Sequence, residues 1–225
     1  MLLCAALLTV AGCGGGDDDG QPATNQKDAS QSAAGEQQGG CKDVEQPRPR
    51  VAAGYTKPKR PLDASKTYEV VLDTSCGSFT IRLDQKTSPH ATASFVSLAR
   101  DGFFDDTIFH RIVPDFVIQG GDPTASGSGG PGYSTRDRVP QSASYEPGVV
   151  AMAKAGSEPA GTAGSQFFVV TGAAAGLTPD YALLGKVVKG MGVVRAIGKL
   201  GDPASGGAGT PLQSVVIDKA TVHEH

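Results

Sequence analysis

Apolar and polar residues alternate through Tyr68–Asp73 (YEVVLD) and again through Gly77–Leu83 (GSFTIRL), with the turn-like Thr74-Ser75-Cys76-Gly77 between them. A period of two puts successive side chains on opposite faces, so the pattern predicts a β-hairpin. The period then changes. Ala91, Phe95 and Leu98 recur at helical spacing behind Ser88-Pro89, and Gly102 follows, which predicts a helix with Ser88 as N-cap and Pro89 in its first position. Short apolar runs come next at Ile108–Val113, Phe116–Gln119, Gly148–Met152, Gln166–Val170 and Leu183–Val188. A second helical stretch around Met191–Lys199 precedes a last strand at Ser214–Asp218. Seven or eight short strands, two helices and long Gly-rich connections predict a mainly β fold, a closed antiparallel barrel.

Upstream of Thr67 the periodicity is lost. Residues 14 to about 66 are mostly Gly, Asp, Gln, Ala, Ser and Pro, with Val44, Val51, Tyr55 and Leu62 as scattered larger apolar groups. All eight Phe lie between Phe79 and Phe168, and no Ile precedes Ile81. So little apolar surface does not offset the entropy of ordering a chain, and the segment is predicted to be a flexible tether. Within it Arg48, Arg50, Lys57, Lys59 and Arg60 interleave with prolines. This basic run reads as solvated linker, with anionic lipid head groups as the alternative contact. Residues 67–225 suffice for one well-buried domain.

The chain opens MLLCAALLTVAGC. Twelve residues are too few to cross a hydrocarbon layer, which needs roughly 20 in a helix, so the run reads as the apolar region of a signal peptide. Val10-Ala11-Gly12-Cys13 resembles the bacterial lipobox, in which a signal peptidase cuts before a cysteine that carries lipid. The resemblance implies that residues 1–12 are a removed leader, that Cys13 is acylated, and that residues 13–66 tether the protein to a bacterial cell membrane outside the cytoplasm. No Lys or Arg falls in residues 1–12, a departure from the usual leader; the alternative is a simple secreted or buried apolar segment. Cys4 leaves with the leader and Cys13 carries lipid, so Cys41 and Cys76 remain. An even pair in an exported protein predicts a disulfide, against the alternative of two free thiols.

Composition narrows the function. Gly (31) and Pro (15) fill about a fifth of the 225 positions, which excludes a protein of long helices. A net charge of -3 gives no electrostatic reason to expect nucleic acid as a partner.

In an extended strand Phe109, Arg111 and Val113 point one way, and His110 and Ile112 the other. Val117 likewise shares a face with Gln119, and Gln166 with Phe168. One surface thus gathers a guanidinium, two amides and apolar walls, which suits an extended peptide bearing a Pro ring. The stretch Phe109–Pro123 (FHRIVPDFVIQGGDP), the Gly-rich GSGGPGY at 127–133 and GSQFFVVTG at 164–172 resemble the cyclophilin family of peptidyl-prolyl cis-trans isomerases. LTPDYALLGKV at 177–187 is more similar to extracytoplasmic bacterial members than to eukaryotic cytosolic ones.

The resemblance implies an eight-stranded barrel capped by two helices, acting as a monomer on Pro-containing unfolded or flexible polypeptides, with no metal or cofactor. It implies that Arg111, Gln119 and Phe116 are catalytic and that Val117, Ala153, Lys154, Gln166, Phe168, Leu177, Tyr181 and Leu184 bind substrate. Four positions depart from the family pattern: Gly176 where many eukaryotic members have Trp, Tyr181 for a common His, Leu184 for a common Phe, and Lys154 for the usual Asn. The alternative function is a chaperone that holds Pro-containing segments in the same groove, with isomerisation incidental.

Weaker signals are read structurally. His110 is expected to face away from Arg111 as a structural histidine, with a catalytic one as the alternative. The G-x-G-x-x-G at 127–132 contains Pro131 and no βαβ unit surrounds it, so it is a loop and not a dinucleotide site. His223-Glu224-His225 lacks the third ligand of a metal site.

Overall fold

The computed structural model describes residues 40–52, 54–173 and 176–225. The predicted leader, Cys13 and the first part of the predicted tether lie outside the described residues. The elements in chain order are β1 (Tyr68–Thr74), β2 (Gly77–Leu83), α1 (Pro89–Arg100), β3 (Thr107–Ile108), β4 (Arg111–Val113), β5 (Val117–Gly120), β6 (Thr135–Arg136), β7 (Val149–Met152), β8 (Thr162–Ala163), β9 (Phe167–Val170), β10 (Leu183–Lys189), α2 (Met191–Gly198), a 3-10 turn (Pro203–Ala208) and β11 (Val216–Glu224). Among the described residues no helix is long and apolar enough to cross a membrane.

The hairpin forms as its alternation demands. Tyr68, Val70 and Leu72 are buried, the residues between them half-exposed, and Thr74 pairs with Gly77 at the turn. One antiparallel sheet then runs in the order β3-β11-β1-β2-β10-β7-β9-β5-β4. Its two edge strands are consecutive in the chain, separated only by Phe109 and His110, and Ile108 bridges to Asp122 just beyond β5. The curled sheet therefore returns to its own start, and β3 and β4 are the halves of one broken strand. Counted as one, they reduce the nine strands to the expected eight.

The break corrects one expectation about facing. Phe109 donates its N–H to Val215 O (3.0 Å), continuing the β3–β11 register by one residue, and its side chain turns into the core, with ring centroids 6.4 Å from Phe79 and 6.1 Å from Phe167. Phe109 thus shares the interior with Ile112, while Arg111 and Val113 face outward.

α1 closes the barrel through Phe95, which packs 4.5 Å from Phe104 and 5.4 Å from Phe167 between centroids. Ser88 occupies the N-cap position but makes no side-chain bond there. The first-turn N–H groups of His90 and Ala91 instead donate to the Asp137 carboxylate at 3.1 and 2.8 Å. An anion from a distant loop does the capping. α2 buries Val194 and Ile197.

Residues 40–66 correct the expected flexible tether. The described residues among them, 40–52 and 54–66, hold no strand or helix, yet they form a strap laid against the domain. Cys41 is joined to Cys76 in a disulfide, and Lys42 N–H donates to Ser75 O at 2.9 Å. The Arg50 guanidinium donates to Phe103 O (2.7 Å) and Asp105 O (2.6 Å), Tyr55 stands edge-on to Phe103 at 4.9 Å, and Ala52 and Leu62 pack on the core. A few apolar groups cannot build a core, but they can add to one already built. Closing a loop with a sequence separation of 35 residues removes roughly 3–4 kcal/mol of unfolded-state entropy in the chain-entropy model. Of the basic run, Arg50 and Lys57 are engaged with protein carbonyls.

Candidate active site

Strand register assembles the site. Arg111 on β4 stands opposite Gln119 on β5, Gln119 opposite Phe168 on β9, Phe168 opposite Ala151 on β7, and Ala151 opposite Leu183 on β10. This row lies on the outer face. The adjacent row, Ile112, Ile118, Val169 and Val150, is fully buried inside the barrel. Because side chains alternate, an apolar interior row guarantees that its neighbours point outward together.

Along the row the polar groups are linked in series. Arg111 donates from Nε and Nη2 to Gly207 O at 3.1 and 3.0 Å, and from Nη1 to Gln119 Oε1 at 3.3 Å. Gln119 Nε2 donates to Gln166 Oε1 (3.1 Å), and Gln166 Nε2 to Gly129 O (3.0 Å). Backbone carbonyls anchor both ends of this relay. The fork of Arg111 also lies over the Phe116 ring, 5.9 Å from its centroid. Partial burial lowers the guanidinium's pKa from the usual arginine value, yet it stays charged at physiological pH.

Beside the relay the outer faces of β5, β7 and β9 form a second apolar cluster of Val117, Ala151, Phe168, Val170 and Tyr145. Phe116, Ala153, Leu177, Tyr181 and Leu183 lie half-buried around it. Tyr181 stands edge-on to Phe168 at 5.3 Å. Its backbone is clamped by Tyr145, whose hydroxyl donates to Tyr181 O (2.7 Å) and accepts from Tyr181 N–H (3.0 Å). Burial raises the Tyr145 pKa, which keeps that phenol protonated as a donor.

Most of the sequence-predicted residues therefore meet here, with one correction. Leu184 is fully buried in the barrel interior, and its neighbour Leu183 takes the groove side. Alternation along β10 decides between them. Lys154 is present, but its ammonium is engaged: it lies 2.7 Å from the Asp180 carboxylate, donates to Glu158 O at 3.0 Å and sits 5.7 Å over the Tyr181 ring. Its backbone neighbour Ala153 N–H donates to Gln166 O (2.9 Å). Sequence reasoning missed Tyr145, Asp180, Leu183 and the Gly207 carbonyl. Tyr145 lies in an aperiodic loop and Gly207 in a short Gly-rich 3-10 turn, neither of which carries a pattern to read.

A pocket of about 720 Å³ opens next to Gln166, walled by the Gly-rich loop on one side and by Ala153–Glu158 on the other. Asp122 organises that loop. Its buried carboxylate accepts the N–H groups of Thr124 (2.7 Å), Ser126 (3.1 Å), Gly127 (2.7 Å) and Gly129 (3.0 Å). Burial alone would raise its pKa, but these bonds and the Thr124 hydroxyl outweigh it and hold the carboxyl below the usual aspartate value. His110 lines a separate cavity of about 300 Å³ with Gln46 and Ser214, and burial lowers its pKa below the ordinary histidine value. It takes no part in the Arg111 relay.

An oriented guanidinium, two amides and an apolar cup bind an extended chain and favour a small apolar ring at its centre. The site presents hydrogen-bond donors, not an activated nucleophile. Among the described residues no group of three or more His, Cys, Asp or Glu side chains is placed to hold a metal ion.

The family model described as cyclophilin type peptidyl-prolyl cis-trans isomerase/CLD matches residues 69–222. A peptidyl-prolyl cis-trans isomerase of Arabidopsis thaliana is 38% identical over 136 residues, covering 59% of this chain and 81% of its own. A peptidyl-prolyl cis-trans isomerase-like 1 protein of Gibberella zeae is 36% identical over 162 residues, 70% of this chain and 96% of its own. The crystal structure of a cyclophilin type peptidyl-prolyl cis-trans isomerase of Cryptosporidium parvum superposes with a TM-score of 0.63 at 28% identity, covering 70% of this chain and 98% of that one. A second crystal structure of that protein, in the presence of the dipeptide Ala-Pro, gives 0.62 at 29% identity.

Two outcomes follow from the geometry. The folded-state pKa of Asp122 lies below the unfolded value, so its stabilising contribution is fully present above about 3.9 and is lost as pH falls through the lower folded value. The stability gap between wild type and Asp122→Asn, measured by urea unfolding, is expected to be largest near neutral pH and to close in that acid window. Gly209 has φ +67°, and a Cβ there would lie 2.8 Å from Arg111 Cγ. Gly209→Ala is expected to move Arg111 off Gly207, seen as a shifted Arg111 Nε–H resonance while the barrel amides stay in place.

Proposed function

The chain belongs to the cyclophilin-type peptidyl-prolyl cis-trans isomerase family, and we propose that it works outside the cytoplasm of a bacterial cell, anchored through a lipid on Cys13, on X-Pro bonds of exported polypeptides. Its activity is peptidyl-prolyl cis-trans isomerisation. The observation that carries the site assignment is the Arg111 fork, held on one side by Gly207 O and on the other by Gln119, beside an apolar cup.

Rotation about an X-Pro bond meets a barrier of roughly 18–20 kcal/mol, because the amide loses conjugation as it twists. No bond breaks, so no nucleophile or general base is needed. In the twisted state the proline nitrogen regains a lone pair, and a fixed cation aimed at it stabilises that state more than the planar one. Arg111 serves this role, with its fork pre-oriented so that little reorganisation accompanies rotation. Phe116, Val117, Phe168 and Leu177 hold the proline ring, and Ala153 and Gln166 hold the backbone before it.

The location rests on the lipobox-like Val10-Ala11-Gly12-Cys13 and is supported by the Cys41–Cys76 disulfide, a bond that persists in oxidising compartments. The anchored chain would meet polypeptides as they emerge and fold near the membrane.

Arg111→Ala is expected to lower kcat/KM for cis-to-trans conversion of an Ala-Pro tetrapeptide by about 100- to 1000-fold, the usual cost of one preorganised electrostatic donor. Arg111→Lys is expected not to restore it, since an ammonium lacks the two-pronged fork; full activity in Arg111→Ala would remove the guanidinium from the mechanism. Cys13→Ser, expressed from the full-length precursor, is expected to leave the membrane fraction for the soluble extracytoplasmic fraction. Retention in the membrane fraction would overturn the lipid anchor.

A further inference from the structure

We propose that the strap, residues 40–66, is part of the catalytic apparatus: Arg50 and Lys57 are positioning residues that hold the Gly-rich loop at 123–134, with the Cys41–Cys76 bond as the clip that keeps the strap seated. The proposal rests on reading the Arg111 groove as the isomerase site. The strap lies outside the family match at 69–222, so it is an addition to the shared domain.

The loop between Pro123 and Ser134 has no regular structure and contains Gly127, Gly129, Gly130 and Gly132, residues that lose the most conformational freedom on ordering. From inside it is held by the Asp122 carboxylate and by Gln166, which donates to Gly129 O. From outside, the strap holds both of its ends. Arg50 N–H donates to Pro123 O at 2.9 Å, and Lys57 Nζ donates to Ser134 O at 2.9 Å. Gln46 of the strap and Ala125 of the loop line one cavity.

The strap is itself firmly seated. The Arg50 guanidinium is fixed by Phe103 O and Asp105 O, and the Tyr55 ring packs on Phe103. Cys41 closes its start, and at its end Gln85 Nε2 donates to Asp63 O and Lys66 O. These contacts reach the chemistry through one carbonyl. Gly129 O orients Gln166, Gln166 orients Gln119, and Gln119 orients Arg111. A displaced loop therefore misaims the amides that receive the peptide backbone and loosens the guanidinium.

The test compares kcat and KM for an Ala-Pro tetrapeptide, together with hydrogen exchange of residues 124–132, in the full chain, in Lys57→Met, in Lys57→Arg and in the Cys41→Ser/Cys76→Ser double variant. Lys57→Met is expected to raise KM about fivefold, the net effect of one ordinary solvent-exposed hydrogen bond, and to speed exchange across 124–132, with Lys57→Arg restoring both. The double variant is expected to show the same changes to a larger extent while the exchange of β1 and β2 stays protected. Unchanged kinetics in both Lys57→Met and the double variant, or faster loop exchange without a kinetic change, would overturn the proposal. Arg111→Ala measured alongside tests the site separately: if it retains turnover, the groove assignment fails whatever the strap variants show.

Discussion

Everything in this site depends on strand register. Arg111, Gln119, Phe168 and Ala151 form one row only because β4, β5, β9 and β7 pair as they do. That pairing is enforced from the other side of the sheet. Ile112, Ile118, Val169 and Val150 fill the barrel interior without exposure, and a slip of one residue would exchange the two rows, sending a guanidinium into the core and isoleucines into water. The core thus aims the polar groups of the groove without facing the groove itself.

Around that row, loops lacking ladder hydrogen bonds are ordered by buried carboxylates. Asp122 gathers four backbone N–H groups of the Gly-rich loop, and Asp137 caps α1 from a loop far along the chain. Each anion satisfies several donors at once where the backbone has no partner of its own. The groove wall is also tied by polar links to side chains outside it. Tyr181 is held by the Tyr145 hydroxyl, and Lys154 is spent on Asp180. These links hold the wall beside Phe168.

The strap shows where composition misleads. Residues 40–66 have too few apolar groups to fold by themselves, and that physical statement is correct. Tyr55, Leu62 and Ala52 nonetheless find an existing core to pack on, and Arg50 finds carbonyls left open near Phe103. A segment's own entropy balance does not include the surface a neighbouring domain offers it, so the ordering was not legible from the segment. The disulfide partners, in contrast, were already the predicted pair once Cys4 and Cys13 were assigned to the expected leader and lipid site.

The sequence by itself determined the hairpin, both helices, most strand positions and the candidate residues Arg111, Gln119, Gln166 and Phe168, because period-two alternation and local motifs depend only on near neighbours along the chain. It also pointed to the family through FHRIVPDFVIQGGDP and GSQFFVVTG. Only the tertiary structure decided that Phe109 turns inward, that Leu183 and not Leu184 faces the groove, that Asp137 rather than Ser88 caps α1, and that Gly207 O and Gly129 O anchor the relay. These are contacts between groups distant in sequence, carried by broken strands and aperiodic loops. No local pattern encodes them, and they exist only once the sheet has closed.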